Sequence, residues 1–181
     1  MSTCKTGAPE SRKAIMMLEI LGLPAHIMFL HAVVAFAPVA GLASIVYALR
    51  PPWQRVLEWP VVILAVITAV LTVLTANAGE ALEEALEEGG EASELIEAHA
   101  TQGDRLETVA VIFAVVTILT IAVTGPWVTK RVRWLASARN TPWMVWVLRV
   151  LTVLAAVILI YQVVVTGHSG AEAVWSDWRT E

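Results

Sequence analysis

Charge is scarce in this 181-residue sequence: Asp, Glu, Lys and Arg make up 15% of it, against 57% hydrophobic residues. Soluble domains carry nearer a quarter charged residues. The shortage excludes intrinsic disorder and most soluble enzymes. The charges present sum to −4 at neutral pH, which leaves no basic footprint for DNA or RNA. Cysteine is almost missing too. Cys4 stands alone in the polar N-terminal tail, so no internal disulfide can form and thiols say nothing about redox compartment. No Rossmann fingerprint, phosphate-cradling glycine loop, Cys-x-x-Cys or His-Glu-x-x-His spacing occurs. Ser169 beside His168 is too generic to define a hydrolytic nucleophile.

Apolar residues take the space that charge leaves. Near-continuous apolar runs cover about 27–49, 59–78, 109–128 and 143–165. Each is close to the roughly 20 residues needed to cross a hydrocarbon core of about 30 Å. Lipid cannot satisfy an open backbone, so such runs are helices or strands of a closed barrel. The runs do not alternate, which excludes the barrel. The expected fold class is all-α: a transmembrane four-helix up-down-up-down bundle, with acidic helical extensions between spans two and three. The divisions are a polar or amphipathic tail over 1–19, a four-span membrane domain over 20–175, and a C-terminal tail over 176–181. Pro60 and Pro142 are expected in first helical turns, where the missing N–H costs nothing. Asn140 or Thr141 can cap the fourth helix. Pro38 falls inside the first span and removes one of its backbone bonds. Ala37 and Gly41, four apart, would allow close approach of another helix, although small residues recur in any such helix.

Lys5, Arg12 and Lys13 followed by an apolar run and Ala35-Phe36-Ala37 resemble a secretory signal. Glu19, Pro24, His26 and His31, and the apolar sequence beyond Ala37, argue against cleavage. Arg50 and Arg55 follow span one, and Lys130, Arg131, Arg133 and Arg139 precede span four. The Lys/Arg bias places these loops in the cytoplasm of a plasma-membrane protein, with both termini outside. The cations of the N-terminal tail point the other way. Trp53, Trp59, Trp127, Trp134, Trp143 and Trp146 would form an aromatic belt at the cytoplasmic boundary. Trp175 and Trp178 would anchor the opposite surface.

Between spans two and three lie Glu80, Glu83, Glu84, Glu87, Glu88, Glu91, Glu94 and Glu97. Ala81, Leu82, Ala85 and Leu86 make a helical stripe there, broken at Gly89-Gly90. Ser93 can cap the next helix. The glutamates read first as a solvated face, and second as a docking surface for a basic soluble electron carrier. Arg149 is the one charge deep in a span, with snorkelling its first explanation and an internal partner its second.

His26, His31, His99 and His168 all fall on the predicted outer side. At about 1.5 Å per residue, His31 and His168 lie near the hydrocarbon edge, with His26 and His99 higher. His26 and His31 are five residues apart, roughly 140° around a helix, and so face different partners. Pairing His31 with His168, and His26 with His99, would give two bis-imidazole sites of the kind that hold haem b between helices. Depth favours iron at His31 and His168, where apolar walls bury a porphyrin. A divalent metal on His26, His99 and His168 with Glu80, Glu97 or Asp104 is the intermediate reading. The plain reading is four interfacial histidines without a ligand.

Gly22-Leu23-Pro24-Ala25-His26 with His31 and Pro38 resembles the opening of a bacterial four-span membrane family, domain-of-unknown-function family 2231. Ile27 stands where that pattern carries a proline, and Ala32 follows His31 where the pattern continues Phe-Pro. Ala78-Gly79-Glu80, His99-Ala100 and Gly167-His168-Ser169-Gly170-Ala171-Glu172 are similar to its later motifs. The resemblance covers roughly residues 20–175. It implies a multi-pass membrane domain, sometimes joined to c-type haem domains, and assigns no reaction. Two functions stay open: a b-type haem electron-transfer protein working with a quinone or soluble carrier in a membrane redox complex, and a non-catalytic scaffold subunit. Neither reading calls for a stand-alone enzyme, and the sequence leaves enzyme status open.

Overall fold

The computed structural model describes residues 19–20, 23–90, 93–132 and 140–176. Cys4, Lys5, Arg12, Lys13, Gly22, Glu91, Arg133, Trp134, Arg139 and Trp178, which entered the expectations above, lie outside the described residues. Four long apolar helices carry the fold: α1 (Ala25–Leu49), α2 (Gln54–Gly89), α3 (Glu94–Thr124) and, after the short α4 (Pro126–Arg131), α5 (Pro142–Trp175). A two-residue antiparallel pairing, Glu19–Ile20 with Leu23–Pro24, precedes α1. Helix α1 packs on α2 and α5, and α3 packs on α2 and α5. The chain therefore closes a ring of four neighbours.

Hydrogen bonds at the two ends fix which helix ends meet. The start of α1 bonds the end of the α2 apolar run through His26 and Thr75, and the start of α3 bonds the end of α5 through His99 and Ser169. At the other end Tyr47 of α1 bonds Thr124 of α3 at 3.0 Å. These contacts are compatible with up-down-up-down order. They also define a histidine end and a tryptophan end.

The packing is that of a bundle in lipid. Small and hydroxyl side chains fill the inside: Ala37, Ala40, Ala65, Ala110, Ala156, Thr68, Thr117, Thr120 and Thr152 are all fully buried. Large apolar residues such as Val39, Leu42, Ile63, Leu119 and Ile158 face out. In lipid there is no hydrophobic drive between helices, so close backbone approach and interhelical hydrogen bonds hold them instead. Thr120 and Thr152 show both devices, with their hydroxyls 2.7 Å apart across α3 and α5. Gly41 is where α1 meets α5, since a Cβ there would stand 3.0 Å from the Ile160 side chain.

Helix ends differ from expectation in three places. Pro60 lies inside α2 rather than in its first turn, because Pro51–Trp53 forms a 3-10 turn and α2 already starts at Gln54. The third apolar run breaks at Gly125, four residues early, where Pro126 starts α4. Thr141 occupies the N-cap of α5 but caps through its backbone oxygen, which accepts from Met144 and Val145 N–H. The acidic extensions are helical as expected. Helix α2 runs to Gly89 and stops at Gly90, whose φ of 73° suits glycine. Ser93 caps α3, its Oγ accepting from Ile96 N–H at 3.4 Å.

Candidate functional site

The histidine end contains an apolar pocket of about 100 Å³ between α1, α2 and α3. Leu30, Val33, Leu82 and Leu106 are among the apolar residues that line it, and His26, His99, Glu80, Glu83 and Asp104 are among the polar ones. The two imidazoles lie edge to face, with ring centroids 6.2 Å apart and planes at 84°.

Each ring is seated on a glycine of a neighbouring helix. His26, in the first turn of α1, rests on Gly79 of α2, where a Cβ would stand 3.0 Å from Nδ1. His99 of α3 rests on Gly170 of α5, where a Cβ would stand 2.8 Å from Cε1. The missing side chains let both rings reach hydrogen-bond partners that fix their tautomers. His26 Nδ1 is 2.9 Å from the Thr75 carbonyl oxygen. A carbonyl only accepts, so Nδ1 carries the proton. His99 Nδ1 is 3.0 Å from Ser169 Oγ, whose own proton goes to the Thr166 carbonyl at 2.9 Å. Ser169 therefore accepts, and His99 Nδ1 is the donor. With Nδ1 the donor in both rings, Nε2 is the nitrogen that bears the lone pair of a neutral imidazole.

The electrostatics of the extensions, beyond the apolar stretches, favour neutral groups. Burial first, and then the neighbouring His26, hold the His99 imidazole below its usual pKa, against a backbone hydrogen-bond contribution from Thr166. Burial, followed by the carboxylates of Glu87, Asp104, Glu97 and Glu80, pushes Glu83 above the usual carboxylate range. Neutral imidazole is the form that binds metals. Beneath His99, Gln162 donates to Gln102 Oε1 at 2.9 Å and Thr166 donates to the Gln102 carbonyl at 3.1 Å, which ties α5 to α3.

His31 and His168 are elsewhere. His31 is exposed on α1 and folds back on its own helix, with Nδ1 2.6 Å from the Ile27 carbonyl. The His168 side chain is 75% exposed and faces Glu172 one turn on, at 3.5 Å. Neither lines the pocket. Among the described residues no three His, Cys, Asp or Glu stand close enough to hold a metal together. Glu84, Glu87, Glu88, Glu94 and Glu97 are exposed, as a solvated face requires.

A second polar feature at the tryptophan end went unread in the sequence. Glu58 is 2% exposed and accepts from the N–H groups of Trp127 and Val128, at 3.0 and 3.1 Å. These are free donors at the start of α4. Gly125 makes the approach possible, because a Cβ there would meet Glu58 Oε1 and the Ile121 carbonyl at 2.5 Å. Trp59 and Trp127 pack edge to face with centroids 4.9 Å apart, and the Arg131 guanidinium lies 4.4 Å from the Trp127 ring centroid. The sole acid between residues 20 and 79, set against a Gly-Pro break, was the available signal.

Four apolar helices around a small and hydroxyl interior, with polar groups gathered at the two ends, define a multi-pass membrane protein. The family model described as predicted membrane protein, DUF2231, matches residues 22–178, and the chain belongs to that family. No curated protein and no solved structure matches it.

Proposed function

We propose that this membrane protein holds a single transition-metal ion between His26 and His99, at the end of the bundle that bears the acidic extensions. The anchored Nδ1–H groups carry this reading, since they leave Nε2 of each ring as the nitrogen that can ligate beside one pocket. Metal-ligating histidines are oriented by such a bond from the other ring nitrogen. Glu80, Glu83 and Asp104 line the same pocket, and water would fill the coordination positions that two imidazoles leave on zinc or copper. A volume of about 100 Å³ suits an ion and its waters. By the Lys/Arg bias of the loops, this end lies outside the plasma membrane, together with both termini.

The second reading is haem b with the same two histidines as axial donors, serving electron transfer to a quinone or a soluble carrier. Two histidines meeting at one apolar pocket are the residues that would hold it. The pocket volume weighs against it, because ligand sites run to roughly 300–1,000 Å³. A porphyrin would have to part α1 from α3.

Metal content and the absorption spectrum of one purified preparation, expressed with zinc, copper, iron and a haem precursor supplied, separate these readings. The expected result is about one equivalent of zinc or copper without a Soret band, lost in His26→Ala and His99→Ala and kept in His31→Ala and His168→Ala. A Soret band lost in the same two variants selects haem. Metal retained in the double variant overturns the assignment, and neither metal nor Soret band leaves the scaffold function.

A further inference from the structure

Arg149 sits on α5 about two turns beyond Pro142 and enters a second cavity, of about 330 Å³, at the tryptophan end. Its walls are Gln54, Thr124, Pro142, Val145, Trp146 and Arg149. The Arg149 Nε–H is closed off from the surroundings and has no acceptor among the described residues. A buried donor left open on a charged group is costly, so a membrane arginine is expected to have a partner. Among the described residues the wall supplies only neutral acceptors such as Gln54 Oε1 and no counter-charge. It contains no carboxylate. The Thr124 hydroxyl accepts from Tyr47 and donates to the Thr120 carbonyl, and Gln54 Nε2 donates to the Tyr47 carbonyl at 3.3 Å.

The surroundings are as cationic as the cavity. Arg50, Arg55, Lys130 and Arg131 are exposed at this end. No Asp or Glu occurs between residues 108 and 171, and Glu58 is already satisfied by the Trp127 and Val128 N–H groups. An oxyanion from outside the chain would supply the counter-charge that the described residues of this end lack. Trp143 and Trp146, both exposed on α5, mark this level as the membrane–water boundary. We infer that the cavity binds a phosphate group, and that the phosphate belongs to a phospholipid of the adjacent leaflet, gripped by the Arg149 guanidinium beside Trp146. Guanidinium pairs with phosphate through parallel N–H···O bonds, which an ammonium cannot reproduce.

Native mass spectrometry of the full chain, released from bilayer discs containing phosphatidylglycerol, reads this site directly. The wild-type chain is expected to retain a single phosphatidylglycerol. Arg149→Gln should retain it about tenfold less, the loss of one charge-assisted bond, and Arg149→Lys should fall between. Equal retention by wild type and Arg149→Gln overturns the proposal. Inorganic phosphate in large excess should leave the lipid in place, and displacement by it would assign the cavity to a free phosphate instead. The wild-type chain supplies a measure that needs no variant. It should retain phosphatidylglycerol about tenfold over a phosphate-free galactosyl diglyceride with the same acyl chains, and equal retention of the two contradicts a phosphate site.

Discussion

A methyl group at position 170 would stand 2.8 Å from His99 Cε1, and one at position 79 would stand 3.0 Å from His26 Nδ1. Both glycines lie within helices, where alanine is favoured by about 1 kcal/mol. The two effects oppose each other and can be measured apart. Gly170→Ala is expected to leave the thermal midpoint unchanged or raised while it displaces the imidazole and weakens metal retention about tenfold. A fall in thermal midpoint with metal retention intact would show that the seat is structural only. His26, His99, Glu80 and Asp104 of this pocket were named from the sequence, and the contact of the two rings matches the pairing of His26 with His99. Leu30, Val33, Thr75 and Leu106 were not singled out. The rank of the histidines was not legible either. Depth favoured His31 and His168, but depth ignores rotation about the helix axis. With His26 turned to the bundle, a residue roughly 140° away must turn outward, and His31 does so. His168 is exposed on α5, whereas Ser169, the next residue, meets His99.

At the scale of elements, the break between α3 and α4 is held from a distance by Glu58. Removing its carboxylate leaves two N–H groups unsatisfied in a buried place. Glu58→Ala is therefore expected to cost about 2–4 kcal/mol, read as a lowered thermal midpoint in detergent, with Glu58→Gln milder because an amide oxygen still accepts. An unchanged midpoint in Glu58→Ala would show that the α4 donors find other acceptors. The helices, the Ser93 cap and the stop at Gly89-Gly90 could be read from local signals, since capping and glycine punctuation act within a few residues. Glu58 could not, because its partners lie about 70 positions away. The early end of α3 and the early start of α2 have the same origin. Apolar periodicity locates the part of a helix in lipid and says little about turns built from Pro51, Gly125 and Pro126.

At the scale of the whole molecule, the fold separates two chemistries. One end gathers histidines and carboxylates, the other arginines and tryptophans, and the hydroxyl-lined interior joins them. We propose, from the Lys/Arg bias of the loops, that the tryptophan end faces the cytoplasm. Single cysteines placed in Cys4→Ser protein at positions 88 and 131 test this in intact cells: position 88 should react with an impermeant thiol reagent and position 131 should not, and the reverse pattern overturns the orientation. The central claim, one metal between two imidazoles bound through Nε2, is tested most directly by pulsed electron paramagnetic resonance of the copper-loaded full chain. Nitrogen modulation from the remote Nδ1–H of two imidazoles is expected, reduced to one ring in His26→Ala and in His99→Ala and unchanged in His31→Ala. A spectrum without imidazole modulation, or one that both variants leave untouched, would contradict it.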